Sequence, residues 1–94
     1  MVVVMVIYDI SDDEVRNLVA SKLLKMGFTR IQRSVYVRRG TLGTSRYVFR
    51  LLSRIIDPLR DRLLVLSISD RDYISSLSIG PKAIGDTHGG NILL

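Results

Sequence analysis

The run Val2–Ile7 places six apolar residues in succession, four of them valine, and two positions later the chain carries a carboxylate at Asp9. A short, mostly β-branched run with no polar break has no face to give to water. It reads as a strand buried on both sides, at the centre of a sheet. Tyr8 then brings in polarity, and Asp9 sits where a rigid scaffold can present charge to a ligand. The rest of the chain must cover this strand or add charge that works with Asp9.

Strand one is therefore Val2–Tyr8. Ser11 and Glu14 stand in the S-x-x-E spacing of a capping box, and Asp12, Asp13 and Glu14 suit the positive end of a helix dipole. Capping and metal binding both remain open for Asp12 and Asp13. Val15, Leu18, Val19, Leu23 and Met26 follow helical spacing, with Lys22 and Lys25 near the end and Gly27 as the stop. A second strand is expected over 30–39. Its alternation gives one face to Ile31, Arg33, Val35 and Val37, and the other to Arg30, Gln32, Ser34, Tyr36 and Arg38. That polar face suits phosphate and sugar contacts as well as plain solvation.

Gly40 and Gly43 bracket a loop. A second helix is expected from Thr44 or Ser45 to Ile56, with Tyr47, Val48, Leu51, Leu52, Ile55 and Ile56 facing inward. Arg46, Arg50 and Arg54 lie four apart as a basic ridge, either a solvated face or a track for a nucleic-acid backbone. Asp57-Pro58 ends this helix. Arg62–Ser69 reads as a third strand, 70–72 as a turn, and Tyr73–Ile79 as a weak fourth strand broken by Gly80-Pro81. The tail, 82–94, ends in Ile92-Leu93-Leu94 and suits addition to a sheet edge, its own or a partner's. This order predicts one α+β domain over 1–94. Its nearest standard architecture is a ferredoxin-like βαββαβ-type sandwich, an antiparallel sheet with two helices on one face.

The 94 residues include 14 Lys and Arg against nine Asp and Glu, a formal net charge of +5, and only three of the cations are lysine. Arginine suits paired phosphate contacts, so a polyanion, first of all nucleic acid, is the expected partner. A thermophile-type surface gives the same composition. The absence of cysteine rules out disulfides and thiolate metal sites and fits a cytoplasmic protein. The first apolar run is too short to span a membrane and does not look like a signal peptide. A core this apolar in so short a chain favours a homodimer.

His88 stands alone in a glycine-rich segment, without a second zinc ligand, and no phosphate-binding glycine motif is present. What remains is Asp9. It either binds Mg²⁺ with waters and a substrate phosphate, better when two copies meet, or it is a turn residue that closes strand one.

The stretch from Tyr8 to Val37 resembles the CRISPR-associated endoribonuclease family, the small core subunit of the spacer-acquisition complex. The matching residues are Tyr8, Asp9, Ile10, Arg16, Gly27, Arg30, Ile31, Gln32, Ser34, Val35 and the aromatic Tyr36. Leu63–Ser69 is similar to the family's third strand. Leu18 departs from it, since some relatives carry a second helix arginine there. The resemblance implies a ferredoxin-like homodimer whose C-terminal strands cross between protomers. It implies Asp9 as catalytic residue and magnesium ligand near the dimer axis, with Tyr8, Arg16, Arg30 and Tyr36 as substrate contacts. It implies metal-dependent cleavage of single-stranded RNA or duplex DNA, and work beside the larger integrase subunit. The alternatives it carries are a non-catalytic DNA-bridging dimer and an RNA-cleaving, toxin-like relative on the same fold.

Overall fold

The computed structural model describes residues 1–81. The element order is β1 (Val2–Asp9), α1 (Asp13–Lys25), β2 (Thr29–Gln32), β3 (Val35–Gly40), α2 (Leu42–Ser53), β4 (Arg62–Ser69) and α3 (Asp70–Ile74). The four strands form one sheet in the order β2-β3-β1-β4, and every pairing is antiparallel. This is the βαββαβ arrangement expected from the sequence. The Val2–Ile7 run is central, paired with β3 on one side and β4 on the other.

The pleat sends alternate residues of β1 to opposite faces. Val4, Val6 and Tyr8 point toward α1 and α2 and join Ile10, Val19, Leu23, Phe28, Tyr36, Val48 and Leu52 in the main core. Val3, on the other face, packs with Val37 and Tyr73, flanked by Met5, Ile31 and Ile68. Both faces of the strand are thus used, but unequally. The helices cover one side, while the short α3 covers only the end near Val3. An Arg39–Asp70 contact of 3.6 Å holds the start of α3 to β3.

Local chemistry sets the helix ends. Asp12, not Ser11, caps α1, its Oδ1 accepting from the Val15 N–H at 3.0 Å. Ser11 instead donates its N–H and hydroxyl to Asp61, and the helix starts one residue later. At the other end the Gly27 N–H bonds the Leu24 carbonyl and the Phe28 N–H bonds the Leu23 carbonyl. This double closure requires a left-handed residue, and Gly27 has φ +85°. α2 begins at Leu42 because Thr41 and Thr44 cap each other's backbone, earlier than the Thr44 or Ser45 start expected. Gly40 is buried against this cap. A Cβ there would lie 2.6 Å from the Thr44 Oγ1.

Three other expectations are corrected. The single strand over 30–39 is a hairpin, with Arg33-Ser34 as its turn and a register shift between Arg30 and Gln32. No strand forms over Tyr73–Ile79: the expected turn at 70–72 is instead the start of α3, which ends at Ile74. The Ser69 hydroxyl accepts from the Asp72 N–H, and Tyr73 is buried. Leu18 (45% exposed) and Tyr47 (58%) lie outside the core, although helical spacing assigned them to it. The tail over 82–94, with His88, lies outside the described residues. No helix among the described residues is long and apolar enough to cross a membrane.

Candidate functional site

Asp9 is the last residue of β1, and its side chain is exposed. Tyr8 lies in the helix-side core, so Asp9, its neighbour on a pleated strand, faces the other way. Its cross-strand partner on β4 is Arg62. Among the described residues the Asp9 carboxylate makes no hydrogen bond and no ion pair. The strand behind it is held on both sides, so the group is rigidly based and carries no direct partner among the described residues.

Tyr8 and Tyr36 stack on the helix side with ring centroids 6.0 Å apart and planes 20° apart. Both are buried. Burial, and then a hydrogen bond to Tyr36, push the Tyr8 hydroxyl well above its ordinary value, against the pull of Arg30 and Arg16. It therefore stays protonated. The sequence-level site divides in two: Tyr8 and Tyr36, near Arg16 and Arg30, on the helix side, and Asp9 on the open face.

Arg16 is half committed to the fold. Its Nη1 donates to the Ile10 carbonyl at 3.0 Å and its Nη2 to Asp13. It braces the turn that follows Asp9. Arg30 stands on exposed β2, registered with Tyr36, and is available to an anion. Arg46, Arg50 and Arg54 are all exposed on or just beyond α2.

Two residues not singled out from the sequence complete this end of the molecule. Asp61 Oδ1 accepts from the Ser11 N–H (3.2 Å) and hydroxyl (3.3 Å), and Oδ2 accepts from the Asp57 N–H (3.0 Å). It ties the segment after β1 to the segment before β4. Arg62 follows directly and lies opposite Asp9. Neither role shows in composition or periodicity, since both depend on the pairing of β1 with β4.

The Asp57 N–H is the main cause that holds the Asp61 carboxyl below its ordinary value of 3.8, and the Ser11 donors and Arg60 act in the same direction against a desolvation effect. A lowered folded-state value means the charged form is preferred in the fold. Its contribution is full above the ordinary value and is lost as pH falls through the lowered one. Asp61→Asn would set an amide N–H₂ against one of these donors. The variant is expected to have a lower thermal midpoint at neutral pH, with the gap to wild type closing in acid below about pH 4. Thermal unfolding from pH 7 down to pH 2 measures this, and a gap that does not depend on pH would remove the electrostatic part of the account.

A hard cation asks for oxygen ligands, and Asp9 offers a carboxylate with no competing partner. One chain offers little more, because no group of three His, Cys, Asp or Glu among the described residues is placed to hold a metal. The donor chemistry fits Mg²⁺ if waters, substrate phosphate or a second chain complete the shell.

The fold and site define a class: a ferredoxin-like α+β domain with an unpaired carboxylate at the end of its central strand and a basic surface. The chain matches the family model described as CRISPR associated protein Cas2 over residues 1–75. It is 43% identical over 80 residues to the CRISPR-associated endoribonuclease Cas2 of Aeropyrum pernix, covering 85% of this chain and 87% of that one. It is also 33% identical over 79 residues to a Cas1/endonuclease Cas2 fusion of Thermoproteus tenax, covering 84% of this chain but 30% of the fusion. In fold it matches a crystal structure of Streptococcus pyogenes Cas2 with TM-score 0.67 at 21% identity, over 83% of this chain and 99% of that one. The chain belongs to the Cas2 family.

Proposed function

We propose that the chain is a Mg²⁺-dependent endonuclease of CRISPR adaptation that cleaves phosphodiester bonds of single-stranded RNA or duplex DNA. The observation that carries this reading is the free, exposed Asp9 carboxylate on a strand held from both sides. No hydrogen bond or ion pair occupies it among the described residues, although Arg62 stands opposite. It is left available. The name endoribonuclease, borne by the Aeropyrum pernix relative, supports the reaction class.

The working form is a homodimer. Beyond α3 the open sheet face presents Ile7, Leu64 and Leu66 next to Asp9, and Leu64 is 55% exposed. Apolar surface of this kind favours coverage. A second copy is the occupant that also supplies the second carboxylate a magnesium site lacks in one chain. When bound, the ion supplies Lewis-acid polarisation of the scissile phosphate. Asp9 holds a fixed negative charge at the reacting centre, and Arg30 holds backbone phosphate on the other side of the sheet. The larger integrase subunit is the expected partner, since a relative carries Cas1 and Cas2 in one chain.

Labelled single-stranded RNA and duplex DNA, incubated with Mg²⁺ or with chelator, test this reading. Cleavage is expected only with metal, and the substrate that is cut names the activity. Cleavage unchanged by chelator would overturn it. A second reading, a DNA-bridging dimer without catalysis, is favoured by the division of charge. Arg30 and the Arg46, Arg50, Arg54 ridge do not converge on the Asp9 face. Such a protein binds duplex DNA with a steep salt dependence and cuts nothing.

A further inference from the structure

We propose that Arg62 is a substrate-phosphate ligand of the Asp9 site. This rests on the reading of Asp9 as the metal-holding group. Three observations converge on it.

The first is register. Asp9 and Arg62 are direct partners across β1 and β4. Directly opposed residues of an antiparallel pair project to the same face, with Cβ atoms about 4.5–5.5 Å apart. Arg62 is therefore at the carboxylate, on its side of the sheet. Arg30 is registered with Tyr36 on the helix side, and Arg16 spends donors on Ile10 and Asp13. Arg39, though on the open face, lies at the far end and faces Asp70.

The second is that both charges are free. Arg62 is exposed and, like Asp9, makes no side-chain hydrogen bond or ion pair among the described residues. Neither charge is therefore committed to another group of the described chain. Unpaired, the two divide the work that a phosphodiester demands. The carboxylate takes the cation, and the guanidinium takes non-bridging oxygens through parallel N–H donors. Those oxygens gain charge as the phosphorus is attacked, so the donor matters more in the transition state than in the bound ground state.

The third is support. Asp61, the residue immediately before Arg62, holds Ser11, two residues after Asp9, through two hydrogen bonds. The backbone that carries the cation is pinned to the backbone that carries the anion. This fixes the spacing before substrate arrives.

Arg62→Gln and Arg62→Lys are to be compared with wild type and with Arg71→Gln, a control on exposed α3. Oligonucleotide affinity is measured in chelator across a salt series, and kcat/KM with Mg²⁺. Arg62→Gln is expected to weaken binding several-fold, to make the salt slope shallower by about 0.7–0.9, and to lower kcat/KM by about 10²-fold. Arg62→Lys is expected to restore the slope but not the rate, because a point charge lacks the paired donors. Arg71→Gln is expected to behave as wild type. Arg62→Gln with wild-type affinity, slope and kcat/KM overturns the proposal, as does an effect no larger than that of Arg71→Gln. If the wild type cuts nothing, the nuclease reading falls, and the affinity and slope in chelator alone decide whether Arg62 holds phosphate.

Discussion

Asp9→Asn is expected to lower metal-dependent cleavage by at least about 10²-fold while leaving the fold and most of the nucleic-acid affinity in place. The substitution keeps size and shape and removes one charge. A hard divalent cation loses far more from that change than from a change of shape, because an amide oxygen is a weak ligand beside a carboxylate. Nothing in the fold depends on the charge. The Asp9 carboxylate makes no hydrogen bond or ion pair among the described residues, so its loss leaves no buried group unsatisfied. The thermal midpoint should therefore hold, and a loss of activity cannot be blamed on unfolding. Cleavage over a range of Mg²⁺ concentrations is the measurement. A rate that partly recovers at high Mg²⁺ points to weakened metal binding. Equal, measurable rates for the variant and the wild type would sink the metal role of Asp9, and no cleavage by either would leave the bridging reading.

Sequence periodicity revealed most of the scaffold because burial dictates it. Val2–Ile7 could only be central, and Arg62–Ser69 was bounded correctly because Pro58 and the polar residues around it separate the strand from α2. The hairpin was missed for a physical reason. Arg33-Ser34 carries no glycine, proline or asparagine, so alternation seemed to run through the turn. α2 started early because two threonines cap it, a signal outweighed by the nearby glycines. In the site, the pleat alone required Tyr8 and Asp9 to diverge, although the family resemblance grouped them. Asp61 and Arg62 were beyond reach. Their meaning lies in which residue of β1 each segment meets, and a single sequence does not state register between strands more than fifty residues apart.

Leu64→Glu is expected to convert the proposed dimer to a monomer and to abolish the proposed metal-dependent cleavage with it. Leu64 pairs with Ile7 across β1 and β4, on the same face as Asp9. More than half of its surface is exposed in one chain. A carboxylate there meets water in the monomer at little cost, so the isolated fold should survive. Across a two-fold axis the same carboxylate would be desolvated against an apolar partner and lie near its own copy. Arg62, two residues along on the same face, offsets part of this, but a charge desolvated against apolar surface still costs on the order of a few kcal/mol, enough to shift a dimer equilibrium by orders of magnitude. Sedimentation velocity at several protein concentrations reads the oligomeric state, and circular dichroism reads the fold. A folded monomer without cleavage would tie activity to two Asp9 carboxylates brought together. A folded monomer that still cuts would place the metal within one chain. A variant that remains dimeric would move the interface off this face.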